Sequence, residues 1–133
     1  MKEKNVGEFF DKQAKKYGNK TYLIFDKTGE KFNYKQFLDK VNQTANFLRN
    51  VGVKRGDTVS TYLPNLPHTL FLLFATGKLG AIINPMSTML TKEEVEFQLD
   101  NADTKVFVYD SELHERIGTV KGPKLKTKII VGE

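Results

Sequence analysis

Histidine is the side chain best suited to acid–base or metal chemistry near neutral pH, and this chain has two, His68 and His114. Neither has a second ligand residue at the spacing typical of a metal site. His114 lies between Glu112 and Glu115 and is interpreted as a solvated helix residue. The chain has no cysteine, which excludes disulfides, thiolate metal sites and a thiol nucleophile. The sequence therefore predicts no metal site.

Motifs that bind phosphate or activate a nucleophile are also missing. Neither G-x-x-x-x-G-K-[ST] nor G-x-G-x-x-G occurs in the chain, and there is no G-x-S-x-G nucleophile elbow. Ser60, His68 and Asp57 could form a Ser–His–acid set only if the fold brought them together, which their spacing does not establish. No catalytic and no cofactor-binding residue is assigned.

Asn65 and His68 are the candidate substrate-pocket residues. They flank the start of a predicted helix, next to the carboxyl end of the predicted central strand. Ligands bind at that edge in open α/β sheets. The alternative is that Asn65 caps the helix and His68 is an ordinary surface or capping side chain. Both interpretations stay open at this point.

The stretch from Asp57 to Pro85 organises the predicted fold. Residues 58–63 have the composition of a strand, residues 66–79 that of a helix, and residues 81–84 that of a second strand. Such a crossover predicts parallel strands. Residues 70–74 (LFLLF) are apolar around the whole helix circumference. We therefore expect another chain, or a missing part of this chain, to cover this helix.

The flanking segments complete an α/β pattern. Helices are predicted at 5–17, 34–51, 91–102 and 112–117, a hairpin at 21–25 and 31–33, and further strands at 105–109 and 128–131. The fold class is a mainly parallel sheet flanked by helices, with an N-terminal β-hairpin. Capping pairs support three helix starts: Asn5 with Glu8, Asn33 before residue 34, and Thr91 with Glu94.

The net charge of +5 comes from 21 basic and 16 acidic residues that alternate through most of the chain. The one concentrated basic patch is formed by Lys121, Lys124, Lys126 and Lys128. It lacks the stacking aromatics of a nucleic-acid site, so no nucleic-acid partner is predicted. No apolar run reaches the length of a transmembrane span or signal peptide, and a cytoplasmic location is expected.

Five segments, in their order and spacing, resemble the N-terminal portion of the adenylate-forming acyl-CoA synthetases, the AMP-binding ligases that include luciferases and peptide-synthetase adenylation domains. They are residues 32–37 (FNYKQF), 52–59 (GVKRGDTV), 63–67 (LPNLP), 77–85 (GKLGAIINP) and 90–95 (LTKEEV). The likeness extends from about Val6 to Val131. Within the family, the chain looks most similar to fatty acyl-CoA or carnitine-type CoA ligases.

The resemblance implies a two-step reaction in a full-length parent. A carboxylate attacks ATP to give an acyl-adenylate and pyrophosphate, the thiol of CoA then displaces AMP, and Mg²⁺ neutralises the phosphates. The family's phosphate loop, nucleotide-binding motifs and catalytic lysine lie further along than this chain runs. One departure is His68, which stands where many members carry an acidic residue.

Residues 1–133 are accordingly predicted to be a truncated N-terminal subdomain, with the remainder of the parent chain as its partner. By itself the chain is expected to be inactive and to bind none of these cofactors. Four alternatives stay open: a complete small α/β binding or interaction module, a homodimer through residues 70–74, an adenylation domain for a non-fatty acid, and nucleic-acid binding through residues 121–128.

Overall fold

The computed structural model describes residues 2–132 as an α/β chain that divides into two compact units. Residues 2–52 and 66–80 form the first, here named the helical unit. Residues 53–65 and 81–132 form the second, here named the sheet unit. The predicted α/β class, with a parallel sheet and an N-terminal hairpin, is confirmed.

The helical unit packs three helices with one hairpin. Its helices are α1 (Val6–Tyr17), α2 (Tyr34–Asn50) and α3 (Pro67–Leu79), and its antiparallel strands are β1 (Thr21–Phe25) and β2 (Glu30–Asn33). These bounds lie within one or two residues of the predicted ones, because each segment carries its own periodicity and turn residues.

The starts of α1 and α2 follow the predicted caps, with one difference at α1. Asn33 and Gln36 form a complete capping box at α2. At α1 the side chain of Asn5 accepts a hydrogen bond from the backbone N–H of Glu8. The carboxylate of Glu8 accepts a hydrogen bond from the backbone N–H of Lys4 instead of from that of Asn5. The predicted capping box is therefore only half formed.

Aromatic rings fill the core of the helical unit. Phe37 of α2 is fully buried, and its ring centroid lies 5.1 Å from that of Phe10, 5.3 Å from that of Phe71 and 5.7 Å from that of Phe74. Helices α1 and α2 thus cover much of the apolar helix α3. The expectation that its cover must come from outside this chain is wrong for that part of the surface. Leu73 remains 38% exposed.

The sheet unit contains four parallel strands in the order β4-β3-β5-β6. They are β3 (Thr58–Tyr62), β4 (Ile82–Met86), β5 (Thr104–Asp110) and β6 (Thr127–Val131). The prediction of four parallel strands is confirmed. Strand β4 continues through Pro85, beyond its predicted end, because an edge strand has one side on which a missing N–H costs no ladder bond.

Helix α4 (Lys92–Asn101) precedes β5, and a 3₁₀ turn (Ser111–Leu113) followed by the short helix α5 (His114–Ile117) precedes the segment leading to β6. Helix α4 starts with the predicted Thr91–Glu94 capping box. The core of this unit is a cluster of eight buried side chains: Tyr62, Met86, Val95, Leu99, Phe107, Tyr109, Ile117 and Val120.

Candidate functional site

His68 lies in the first turn of α3, where its exposed imidazole borders a surface cavity of the helical unit of about 260 Å³. The imidazole makes an edge contact with Phe71, with the ring centroids 5.7 Å apart. The cavity is lined by Glu30, Phe32, Lys40, Gln43, Thr44, Pro67, His68 and Phe71.

This cavity has an apolar base and a polar rim. Phe32 and Phe71 are 7% and 5% exposed and supply aromatic walls, while Glu30 and Lys40 supply opposite charges. Such a lining suits a small organic molecule that carries a polar group. Among residues 2–132 no carboxylate forms a hydrogen bond with His68, so these residues offer no His–acid dyad for general-base catalysis.

Asn65 is exposed in the turn that follows β3, in the sheet unit. Its predicted capping role is wrong, because Leu66 occupies the N-cap of α3 and that position makes no side-chain hydrogen bond. Pro67 is the first helical residue, as predicted, and its fixed φ favours the helix start. Asn65 is therefore available for another role, and its place in a substrate pocket stays a prediction.

The strand order creates a topological switch point between β3 and β5. From β3 the chain continues to β4, which lies toward one edge of the sheet. From β5 it continues to β6, which lies toward the opposite edge. Ligands bind outside the carboxyl ends of such strands in open α/β sheets. Here those ends are Tyr62 and Asp110, and Asn65 follows Tyr62 by three residues.

Tyr62 fixes the loop after β4 at this carboxyl edge. Its buried hydroxyl is shared between the carbonyl oxygens of Thr88, at 2.8 Å, and Leu90, at 2.9 Å. The guanidinium of Arg116 also donates to the Leu90 carbonyl at 3.3 Å. Sequence reasoning missed this arrangement. The available signal was a tyrosine at the last position of a buried strand, since a buried tyrosine hydroxyl usually finds a partner.

His114 is exposed, but it is more than a solvated helix residue. Its Nδ1 shares a hydrogen bond of 2.8 Å with the hydroxyl of Tyr109, and the two rings stack with centroids 5.9 Å apart. Burial raises the pKa of the Tyr109 hydroxyl. The pair therefore holds the 3₁₀ turn and α5 onto the end of β5, which the sequence interpretation did not anticipate.

A family model described as AMP-binding enzyme matches residues 10–133. The chain belongs to this family. The match covers nearly every element described above, so the resemblance to adenylate-forming acyl-CoA synthetases is confirmed.

Within the AMP-binding family, the chain is similar in sequence to crotonobetaine/carnitine–CoA ligases. The crotonobetaine/carnitine–CoA ligase of Citrobacter koseri is 34% identical over 113 residues, which cover 83% of this chain and 22% of that ligase. The ligase of the same name from Salmonella typhimurium is 32% identical over 113 residues, with the same coverage. The chain spans about a fifth of the length of these relatives.

Solved structures of the AMP-binding family share the backbone. The N-terminal domain of FACL13 from Mycobacterium tuberculosis matches with a TM-score of 0.91 and 25% identity, covering 97% of this chain and 34% of that one. A fatty acyl CoA synthetase from the same organism matches with a TM-score of 0.88 and 25% identity, covering 96% and 26%. The predicted likeness to carnitine-type and fatty acyl-CoA ligases is confirmed.

Residues 2–132 show neither a metal-ligand cluster nor a membrane-spanning helix. No group of three or more histidine, cysteine, aspartate or glutamate side chains in this range could hold a metal ion. In the same range, no helix combines the length and the apolar character needed to cross a bilayer.

Proposed function

We propose that residues 1–133 are the N-terminal subdomain of a longer acid–CoA ligase of the AMP-binding family. The observation that carries this proposal is the family match over residues 10–133, together with the 22% coverage of the carnitine–CoA ligase. In the parent, a carboxylate oxygen attacks the α-phosphorus of ATP and pyrophosphate leaves. The CoA sulfur then attacks the acyl carbon and AMP leaves.

ATP and CoA are thus the co-substrates of the proposed parent, and Mg²⁺ is the metal that such chemistry uses with nucleotide phosphates. Residues 2–132 contain no cluster of three or more metal-ligating side chains. In the parent, the ligands of the ion and the residues that bind the nucleotide are proposed to lie outside this range, and the 133-residue chain is proposed to be inactive alone. Use of ATP and CoA also favours a cytoplasmic parent.

Within the parent, this chain would supply scaffold and one wall of an acid pocket. The cavity beside His68 and the sheet edge beside Asn65 are the two candidate surfaces, each within its own unit. The cavity's mixture of phenyl rings, an ammonium and a carboxylate supports a role in holding an organic acid. The acid is proposed to be a fatty acid, with crotonobetaine and carnitine as the competing choices given the relatives' names.

ATP–pyrophosphate exchange tests the function directly. It is to be measured for the 133-residue chain and for the protein encoded by the whole reading frame, with fatty acids of several lengths, crotonobetaine, carnitine and an aromatic acid. We expect exchange only in the longer protein, and the acid that supports it identifies the substrate. A reading frame that ends at residue 133, or a longer protein that never exchanges, would overturn the proposal.

A further inference from the structure

A second concave surface lies in the sheet unit, in the segment between α5 and β6. It has a volume of about 450 Å³ and is here named the lysine groove; it is lined by Val120, Lys121, Gly122, Leu125, Lys126, Thr127 and Lys128. Because β6 starts at Thr127 and all four strands are parallel, the groove lies at the amino edge of the sheet. The switch point is at the carboxyl edge, so the groove is a different surface.

The groove has a fixed backbone and an apolar floor. Val120 is fully buried in the core of the unit, and Leu125 packs against the same cluster. The N–H of Leu125 donates to the Gly122 carbonyl at 3.2 Å, and the N–H of Lys126 donates to the Lys105 carbonyl at 2.9 Å. These bonds determine where the neighbouring lysine side chains emerge. Three lysine residues therefore line one depression.

Three exposed ammonium groups on this surface lack a carboxylate partner. Lys121, Lys126 and Lys128 line the groove, no acidic residue does, and none of the three forms an ion pair within residues 2–132. Lys128 donates to the Gly118 carbonyl at 2.8 Å, which leaves its charge uncompensated. Lys126 directly precedes β6 and Lys128 is its second residue, and both line the groove.

Nearby acidic groups are engaged elsewhere. Asp103 pairs with Lys124 at 3.0 Å, and Asp57 pairs with Lys105 at 2.8 Å. The carboxylate of Glu96 accepts a hydrogen bond from the backbone N–H of Lys121 at 3.1 Å, not from its ammonium. Like charges that line one groove repel one another, and a multivalent anion in the groove would reduce that repulsion.

We propose that the lysine groove binds a small organic phosphate that carries at least two negative charges. Two or three ammonium groups can contact phosphate oxygens at once, and the half-buried Leu125 side chain can contact the organic part of the molecule. The site is independent of the acid–CoA ligase activity proposed above.

Titration of the 133-residue chain with inorganic pyrophosphate tests the site, followed by backbone amide NMR shifts. We expect saturable shifts at Gly122, Thr127 and their neighbours, weaker at about 200 mM than at about 50 mM sodium chloride. The double variant Lys121→Gln/Lys126→Gln should weaken binding at least about tenfold. The matched control Lys31→Gln/Lys35→Gln removes the same charge from exposed positions outside the groove and should stay within about twofold.

Thermal unfolding of each variant verifies that the fold is retained. The site is overturned if the two double variants weaken pyrophosphate binding equally, because net charge alone would then explain it. It is also overturned if chloride or sulfate gives the same shifts at equal ionic strength. Binding to vesicles of phosphatidylserine and phosphatidylcholine without saturable pyrophosphate binding would overturn it too, since only a flat basic surface would then be present.

Discussion

At the scale of single residues, His68 is the side chain whose proposed role is most directly testable. It borders the cavity over Phe71 and has no structural hydrogen bond to a carboxylate among residues 2–132. In the protein from the whole reading frame, His68→Ala should raise KM for the acid about tenfold with KM for ATP unchanged. The control Asn19→Ala, at an exposed position outside the cavity, should change neither. Equal effects on both substrates would contradict a role in acid binding.

Ser60 represents another kind of residue, a polar group buried inside the sheet. Its hydroxyl lies 2.6 Å from that of Thr104 and accepts a hydrogen bond of 3.0 Å from the Asn84 side-chain amide. Ser60→Ala should lower the free energy of unfolding by about 1–3 kcal/mol, because the buried Thr104 and the half-buried Asn84 each lose a hydrogen bond. Urea unfolding measures this. The exposed control Thr119→Ala should change stability by less than about 0.5 kcal/mol.

The ion pair between Asp57 and Lys105 should make the stability of the fold depend on pH. The Lys105 ammonium at 2.8 Å, together with the backbone N–H of Lys54, lowers the pKa of the Asp57 carboxyl. Because the pKa is lowered in the folded state, the carboxylate makes its full contribution to the free energy of unfolding at pH values above the ordinary aspartate pKa of about 3.9. The contribution is then lost as pH falls through the lowered value.

Asp57→Asn should therefore cost about 0.5–1 kcal/mol at neutral pH, a modest amount because the pair is partly exposed. The difference in stability between this variant and the unsubstituted 133-residue chain should shrink as the pH falls below the ordinary aspartate pKa. Thermal midpoints across acid and neutral pH measure it. Asp39→Asn is the control, since Asp39 is exposed and forms no ion pair among residues 2–132. A difference for Asp57→Asn that does not change with pH would contradict the ion-pair explanation.

At the scale of elements, the contact between α1 and α3 depends on two glycines that should respond differently to alanine. A Cβ on Gly7 would overlap the Lys78 Cγ and lie 3.0 Å from its backbone N and Cα. Lys78 cannot move freely because its ammonium bonds Asp11 and Asn42, both at 2.6 Å. Gly7→Ala should therefore destabilise the chain by about 1–3 kcal/mol, despite the better helix propensity of alanine.

Gly77→Ala is the matched control on the facing helix. Its Cβ would lie 3.5 Å from the Val6 Cβ and 3.6 Å from the Gly7 N, which are ordinary contacts. This change should be neutral or stabilise by up to about 1 kcal/mol, because alanine restricts the unfolded chain. Chemical unfolding of both variants compares them. A tolerated Gly7→Ala beside a harmful Gly77→Ala would show that the helices pack in another register.

At the scale of the whole molecule, the exposed part of α3 tests whether this chain lies inside a longer protein. The chain contains no cysteine, so Leu73→Cys introduces a single thiol at a position that is 38% exposed. It should react with a maleimide readily in the 133-residue chain and at least about tenfold more slowly in the longer protein, if the remainder covers α3. Any cysteines beyond residue 133 are to be replaced first.

Asp39→Cys on the exposed face of α2 is the control for reagent access and should react in both proteins. Protection of Leu73→Cys in the 133-residue chain itself, increasing with protein concentration, would instead favour the alternative of a homodimer through residues 70–74. Equal reactivity of Leu73→Cys in the two proteins would contradict cover by the parent chain.

The sequence by itself determined the order and type of the elements and the family. Residues 34–50 carry an apolar stripe and an Asn33 cap, and residues 104–110 an apolar run, so short-range periodicity and capping were enough. The five segments of the resemblance are likewise local strings. The parallel sheet followed from strand–helix alternation, because such crossovers have few topologies.

Only the tertiary structure decided what each element touches. The rings that cover α3, the Tyr62 hydroxyl that holds the loop after β4, and the Tyr109–His114 pair all depend on where segments meet in space. Local sequence also favoured Asn65 as a cap, whereas the path of the chain made Leu66 the N-cap. A capping preference is worth about 1 kcal/mol, and burial of several aromatic side chains outweighs it.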